Sequence, residues 1–220
     1  MSRITAESPL PPPAQTAVPI DRPVRRIKPV ELAAWVEMRL LRITQRWFRE
    51  VENRYDPGTR GVNGLLEEFL GLLASFLPGM LGPYRDQVEP LWTRSCELYG
   101  VVAAKRGLAA GEVIEEFQIL REVVIRLLYQ DPPLSGSVRV SLREILRLNR
   151  AIDMGVTHAS VGHTDALFFS LFEGSGIPDQ PPAAELVEEM GRQLGAIRAE
   201  LTQILGDLPG AWVGERDQEG

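Results

Sequence analysis

The stretch from Gly107 to Gln130, GLAAGEVIEEFQILREVVIRLLYQ, constrains the fold more than any other part of the chain. Set on a helical wheel at about 100° per residue, Val113, Phe117, Leu120, Val124, Leu127 and Leu128 form one broad apolar arc. Ile114 and Ile125 extend the arc, and Glu115, Glu122 and Arg126 lie opposite it. An arc that wide suits a helix packed on more than one neighbour. Arg121 falls inside it, between Leu128 and Ile114, and Glu116 sits at its edge. A guanidinium keeps its proton, so a buried Arg121 needs an acceptor. Arg121 and Glu116 are therefore the candidates for a structural ion pair or a switch.

The rest of the chain reads as helices separated by proline and glycine. Residues 1–28 carry Pro9, Pro11, Pro12, Pro13, Pro19 and Pro23 without helical period, which predicts an extended or disordered tail. That tail ends in a basic cluster, Arg22, Arg25, Arg26 and Lys28, read as a solvated run. Pro29 opens a helix predicted to reach Tyr55, with Leu32, Trp35, Val36, Leu40, Ile43, Trp47 and Val51 at helical spacing and both tryptophans as core anchors. A second helix is predicted over 62–77, stopped by the ProGlyMetLeuGlyPro run at 78–83. A third is predicted over 84–106, with Pro90 as a kink or late start and Gly107 as its C-cap glycine. The helix of the opening stretch follows, and a fifth over 138–172 carries Ile145, Leu148, Ile152, Val156, Ala159, Ala166 and Phe169. No alternating run predicts a strand.

Residues 174–182, GSGIPDQPP, have the composition of a linker, and the period changes beyond them. Val187, Met190, Leu194, Ile197, Leu201 and Ile204 alternate by three and four, the seam of a coiled coil. At under three heptads such a helix is too short to stand alone. It is expected to pair in a homodimer or to dock on the body, as a separate element over 183–208 before a frayed end at 209–220. The predicted fold is all-α: a globin-like or five-helix bundle over 29–173 with an additional C-terminal coiled-coil-like helix.

No catalytic constellation stands out. His158 and His163 are five apart, so they do not share a helix face as a metal pair would. Glu115–Glu116 and Glu188–Glu189 are adjacent pairs, which point apart on a helix. The glycines form neither a dinucleotide fingerprint nor a phosphate loop. Cys96, the single cysteine, reads as a buried structural thiol, and its solitude fits a reducing cytosol. With a net charge of −6 and no basic patch beyond the tail, nucleic acid is not an expected partner. No apolar run approaches the about 20 residues of a membrane span. The expectation is a cytoplasmic, non-catalytic protein without metal or cofactor. The alternative reading is a haem- or small-ligand-binding helical sensor with His158 or His163 as the ligand.

One resemblance adds to this. The run Arg94 to Gly107 (RSCELYGVVAAKRG), followed by Glu112 to Phe117 and Ile119 to Arg121, resembles the N-terminal domain of the RsbT co-antagonist RsbRD family. Arg106 and Gly107 match that family's arginine–glycine step, and Glu116, Phe117, Leu120 and Arg121 its E-[FY]-x-x-L-R segment. The opening helix with Trp35 and Trp47 and the late helix around Asn149 to Asp153 are similar too, so the resemblance spans roughly 30–173. It implies an all-helical sensory or regulatory module, in the style of the globin-like domains of stressosome proteins, which precede STAS, histidine-kinase or transcription-factor output domains. The chain departs from that plan, because only one helix follows the linker. That helix stands where a kinase has its dimerisation helix but holds no histidine, so it cannot be autophosphorylated. The expected function is a sensory or adaptor module acting through protein–protein interaction in a bacterial stress-response or two-component pathway.

Overall fold

A computed structural model describes residues 25–54, 63–133, 138–172 and 184–207. Their architecture is all-α: α1 (Pro29–Glu37), α2 (Leu40–Glu52), α3 (Asn63–Leu81), α4 (Arg85–Lys105), α5 (Ala110–Gln130), α6 (Leu142–Phe172) and α7 (Ala184–Asp207). The predicted opening helix is two. It breaks at Met38–Arg39, where no glycine or proline marks the turn, because both sides are clamped to the end of α5. Trp35 Nε1 donates to the Asp131 carbonyl (2.8 Å), while the Arg39 guanidinium lies over the Trp35 ring and bonds the Asp131 carboxylate (2.9 Å).

Three boundaries move for identifiable reasons. Helix α3 runs through Pro78 to Leu81, because Leu77, Met80 and Leu81 are all buried and this burial outweighs the ladder bond that proline removes. Helix α6 starts at Leu142 rather than 138: Val138–Arg139 (β2) is extended and pairs in parallel with Arg25–Arg26 (β1). That two-residue ladder means the ordered fold begins before Pro29, and Ile27 is already part of the core. Gly107 does end α4 as expected. Its φ of +79° lets the Leu108 N–H reach the Ala103 carbonyl and its own N–H reach that of Ala104 (both 3.0 Å), a Schellman cap.

All six residues of the α5 arc are buried. Phe117 stands at the centre of an aromatic cluster, meeting Tyr99 edge-on at 5.7 Å, Trp92 at 6.4 Å and Trp47 at 6.2 Å. The buried indoles are satisfied by carbonyls of neighbouring helices, Trp47 by Glu116 (2.7 Å) and Trp92 by Ala151 (3.2 Å). Helices α4 and α6 pack along each other, α5 lies on α6 and α2, and α3 joins α1, α2 and α4.

Helix α7 takes the docking alternative within this chain. Met190, Leu194, Ile197 and Leu201 are buried against α3 and α4, Ile204 is partly buried, and the Val187 side chain lies outside the described residues. Arg94 on α4 adds an ion pair to Glu200. Gly195 faces open space, so a Cβ there meets nothing within 4 Å. A Gly195→Ala variant is expected to gain up to about 1 kcal/mol from helix propensity, seen as a higher urea midpoint at unchanged slope.

Candidate functional site

The charges inside the bundle gather where α4 ends and α5 begins. Gly107 turns the chain so that Arg106, the C-cap residue of α4, and Glu116, two turns into α5, face each other. The Arg106 guanidinium reaches Glu116 Oε1 at 3.3 Å, and the Tyr99 hydroxyl donates to the other carboxylate oxygen. Glu116 is 0% exposed and the Arg106 side chain 7%, so this is an ion pair inside the core. Trp47 donates to the backbone carbonyl of the same glutamate. One residue thus ties α2, α4 and α5 together. Burial raises the carboxyl of Glu116 above its ordinary range, against the opposing pull of Arg106 and Tyr99. Burial, reinforced by the Glu116 charge, pushes the Tyr99 phenol well up, so it stays a donor.

Arg121 is elsewhere. Its partner is Asp153 on α6, and both are partly exposed, at 27% and 63% of their side chains. The two candidates, Arg121 and Glu116, are not brought together. The arginine in the core is Arg106, which stands in the turn before the helix, where a wheel drawn on α5 has no place for it. An exposed pair contributes little, about 0–1 kcal/mol. An Arg121→Met variant is expected to stay within about 1 kcal/mol of wild type by urea denaturation.

The histidines have separate partners. His158 Nδ1 meets Glu97 Oε1 at 2.8 Å at the surface. His163 is buried, with Nε2 at 2.7 Å from the Leu108 carbonyl, so Nε2 carries the proton. Its Nδ1 is buried without a partner among the described residues. Cys96 is fully buried, and burial raises its thiol pKa, then the Glu97 charge raises it further, as an inert packing thiol requires. Among the described residues no group of three or more metal-binding side chains converges.

A groove opens between α6 and α7. Leu98 and Val101 of α4 form its floor, Val161 and Asp165 one wall and Gln193 and Ile197 the other, around about 620 Å³. Phe168 and Phe172 lie one heptad beyond Val161 and Asp165, so they continue the same α6 face. Both are exposed, at 56% and 75%, with Phe169 and Leu171 beside them. Their rings touch each other, 4.5 Å between the centroids of Phe168 and Phe172, rather than the core. Phe169, which the sequence places in the stripe of this helix, is 64% exposed, whereas Ser170 beside it is buried.

No family model, curated protein or solved structure matches this chain. Its fold and surfaces therefore carry the functional argument. Among the described residues no helix is long and apolar enough to cross a membrane.

Proposed function

We propose that this chain is a non-catalytic regulatory protein, a sensory or adaptor module of a cytoplasmic stress-response or two-component pathway, which acts through contact with other proteins. The observation that carries this reading is the α6–α7 groove continued by Phe168 and Phe172. Four large apolar side chains exposed on one helix end mark an interaction surface, because water alone is a poor partner for them. An open apolar groove between two helices is the shape that receives a third. Among the described residues, the phenol of Tyr99 and the thiol of Cys96, both pushed well up by burial, and the raised carboxyl of Glu116 are sealed in the core, where they pack and hold helices.

A second copy of the chain is the first occupant to test, because the α7 seam expected to make the homodimer is already used within the chain. Light scattering of the full chain is expected to give a dimer, and the Phe168→Asp/Phe172→Asp variant a monomer of unchanged helicity. A wild-type monomer, or a variant as dimeric as wild type, removes self-association through this face. The regulatory reading itself then rests on a photo-crosslinker at position 168 in cells: no adduct beyond that formed from exposed Tyr129 would overturn it. The haem alternative requires releasing His158 from Glu97 or His163 from Leu108, and neither histidine lines the groove.

A further inference from the structure

On another side of the molecule, the first turns of α6 and the start of α4 enclose a hollow of about 600 Å³ with the end of α3. Four arginines line it, Arg85, Arg143, Arg147 and Arg150, and no carboxylate does. Three of them recur at four and three residues along α6, hence on one face. In a chain of net charge −6 this is a concentrated reversal of sign.

Structure accounts for two of the four. Arg85 pairs with Glu89 at 2.8 Å, and Arg147 donates to the Leu81 carbonyl at 3.2 Å. Arg143 and Arg150 have no acceptor among the described residues. Placement makes this more pointed. Arg85 is the first residue of α4 and Arg143 the second of α6, so both stand at helix N-termini. The macrodipole already makes those ends positive, and acidic side chains are the stabilising choice there. Asp86 and Glu144 complement those two first turns, but neither lines the hollow, so the four guanidiniums crowd their charge over it at a cost in self-repulsion that a bound anion removes. The wall beside them is apolar: Leu142 and Leu146 are exposed there, at 71% and 47%.

We propose that this hollow is a binding site for a nucleoside polyphosphate. The guanidinium fork matches phosphate oxygens in pairs, and four arginines from two helices call for more than one phosphate. The volume lies in the range of small-molecule sites, about 300–1,000 Å³, and suits a nucleotide better than a length of acidic peptide. Leu142 and Leu146 offer the flat apolar surface against which a base lies. The site is independent of the α6–α7 groove, at the opposite end of α6, so it gives the module a ligand as well as a partner.

The test is isothermal titration of the full chain with ATP, GTP and inorganic pyrophosphate, at low salt and without divalent cations. Saturable binding is expected, tighter for at least one nucleotide than for pyrophosphate and weakened by added salt. Arg143→Gln/Arg150→Gln, at two exposed positions that leave the core intact, should weaken binding about tenfold or more. Leu146→Gln should weaken the nucleotide and leave pyrophosphate unchanged. Absence of saturable binding, or binding that the double arginine variant retains, overturns the site. Pyrophosphate bound as tightly as both nucleotides overturns the nucleoside assignment.

Discussion

An Arg106→Met variant is expected to lose about 3–5 kcal/mol of stability near neutral pH. Removing the guanidinium leaves Glu116, fully buried, with the Tyr99 hydroxyl as its one strong donor. An unpaired carboxylate in the core must either stay charged at a steep desolvation penalty or take up a proton. The wild-type pair itself is a weaker asset than its loss suggests, because both charges gave up water to form it. The triple variant Tyr99→Phe/Arg106→Met/Glu116→Met should therefore recover most of what Arg106→Met loses. Urea midpoints of the three proteins decide this: a triple variant as unstable as the single one would mean that the ion pair is a net source of stability.

The same group predicts a pH dependence with a definite sign. Burial holds the Glu116 pKa above its unfolded value of 4.5. The folded state therefore binds this proton more tightly than the unfolded state does. Its contribution to stability is fully present below pH 4.5 and is lost as pH rises through the folded value. In Arg106→Met the raising cause acts without its main opponent, so the deficit should shrink as pH is lowered from 7 towards 5, more steeply than any change in wild type. Glu116→Gln in that background should abolish the slope.

How the chain announces these features explains which of them were legible. The α5 arc, the core tryptophans, the Gly107 cap and the buried Cys96 follow from local rules, periodicity and φ preference, and the structure has them where the sequence puts them. The Arg106–Glu116 contact joins a turn to a helix face, and no single periodic window contains both. Arg121 drew attention by its wheel position, yet α6 leaves an edge open there and its guanidinium reaches out to Asp153. The α1–α2 break has no local marker, since Arg39 and Trp35 are held by Asp131, more than ninety residues away along the chain. The starts of α1, α5 and α6 share one further local signal, a glutamate at the third helical position. Glu31, Glu112 and Glu144 each accept the backbone N–H three residues before them, from Lys28, Ala109 and Ser141 at 2.7, 2.7 and 2.9 Å. For α6, the Ser141–Glu144 spacing alone would have put the start at Leu142. The seam of α7 was legible as a stripe, but a 3.5-residue period does not say whether the facing surface belongs to the same chain.

Gly162→Ala is expected to cost about 3 kcal/mol or more, at the upper end of what overpacking does, because the atoms in the way are backbone. A Cβ at Gly162 would enter the space of the Glu97 carbonyl, its carbon 2.7 Å away, and one at Gly100 that of the Ala159 carbonyl, with the His163 nitrogen at 2.7 Å. These two glycines face each other's helices across the α4–α6 crossing, so the backbones touch there without side chains between them. A side chain tip moves aside for tenths of an ångström, whereas a helix moves only as a body. Either alanine must push α4 and α6 apart along their whole contact, opening the packing of Trp92, Cys96 and Phe117 around Gly155. Gly100→Ala should cost as much as Gly162→Ala, and the double variant clearly less than their sum, since the first separation makes room for the second methyl. Gly195→Ala, changed in the same way on open α7, supplies the control of opposite sign. Chemical denaturation of the four variants beside wild type tests this, and a Gly162→Ala protein within about 1 kcal/mol of wild type would mean that the helices do not meet at backbone distance. The crossing also links stability to the proposed surface. Gly162 lines the α6–α7 groove, and Glu97 and Leu98 of α4 lie along the same groove. A folded Gly162→Ala protein should therefore have a displaced groove floor and a weaker dimer, while Gly195→Ala leaves self-association as it was.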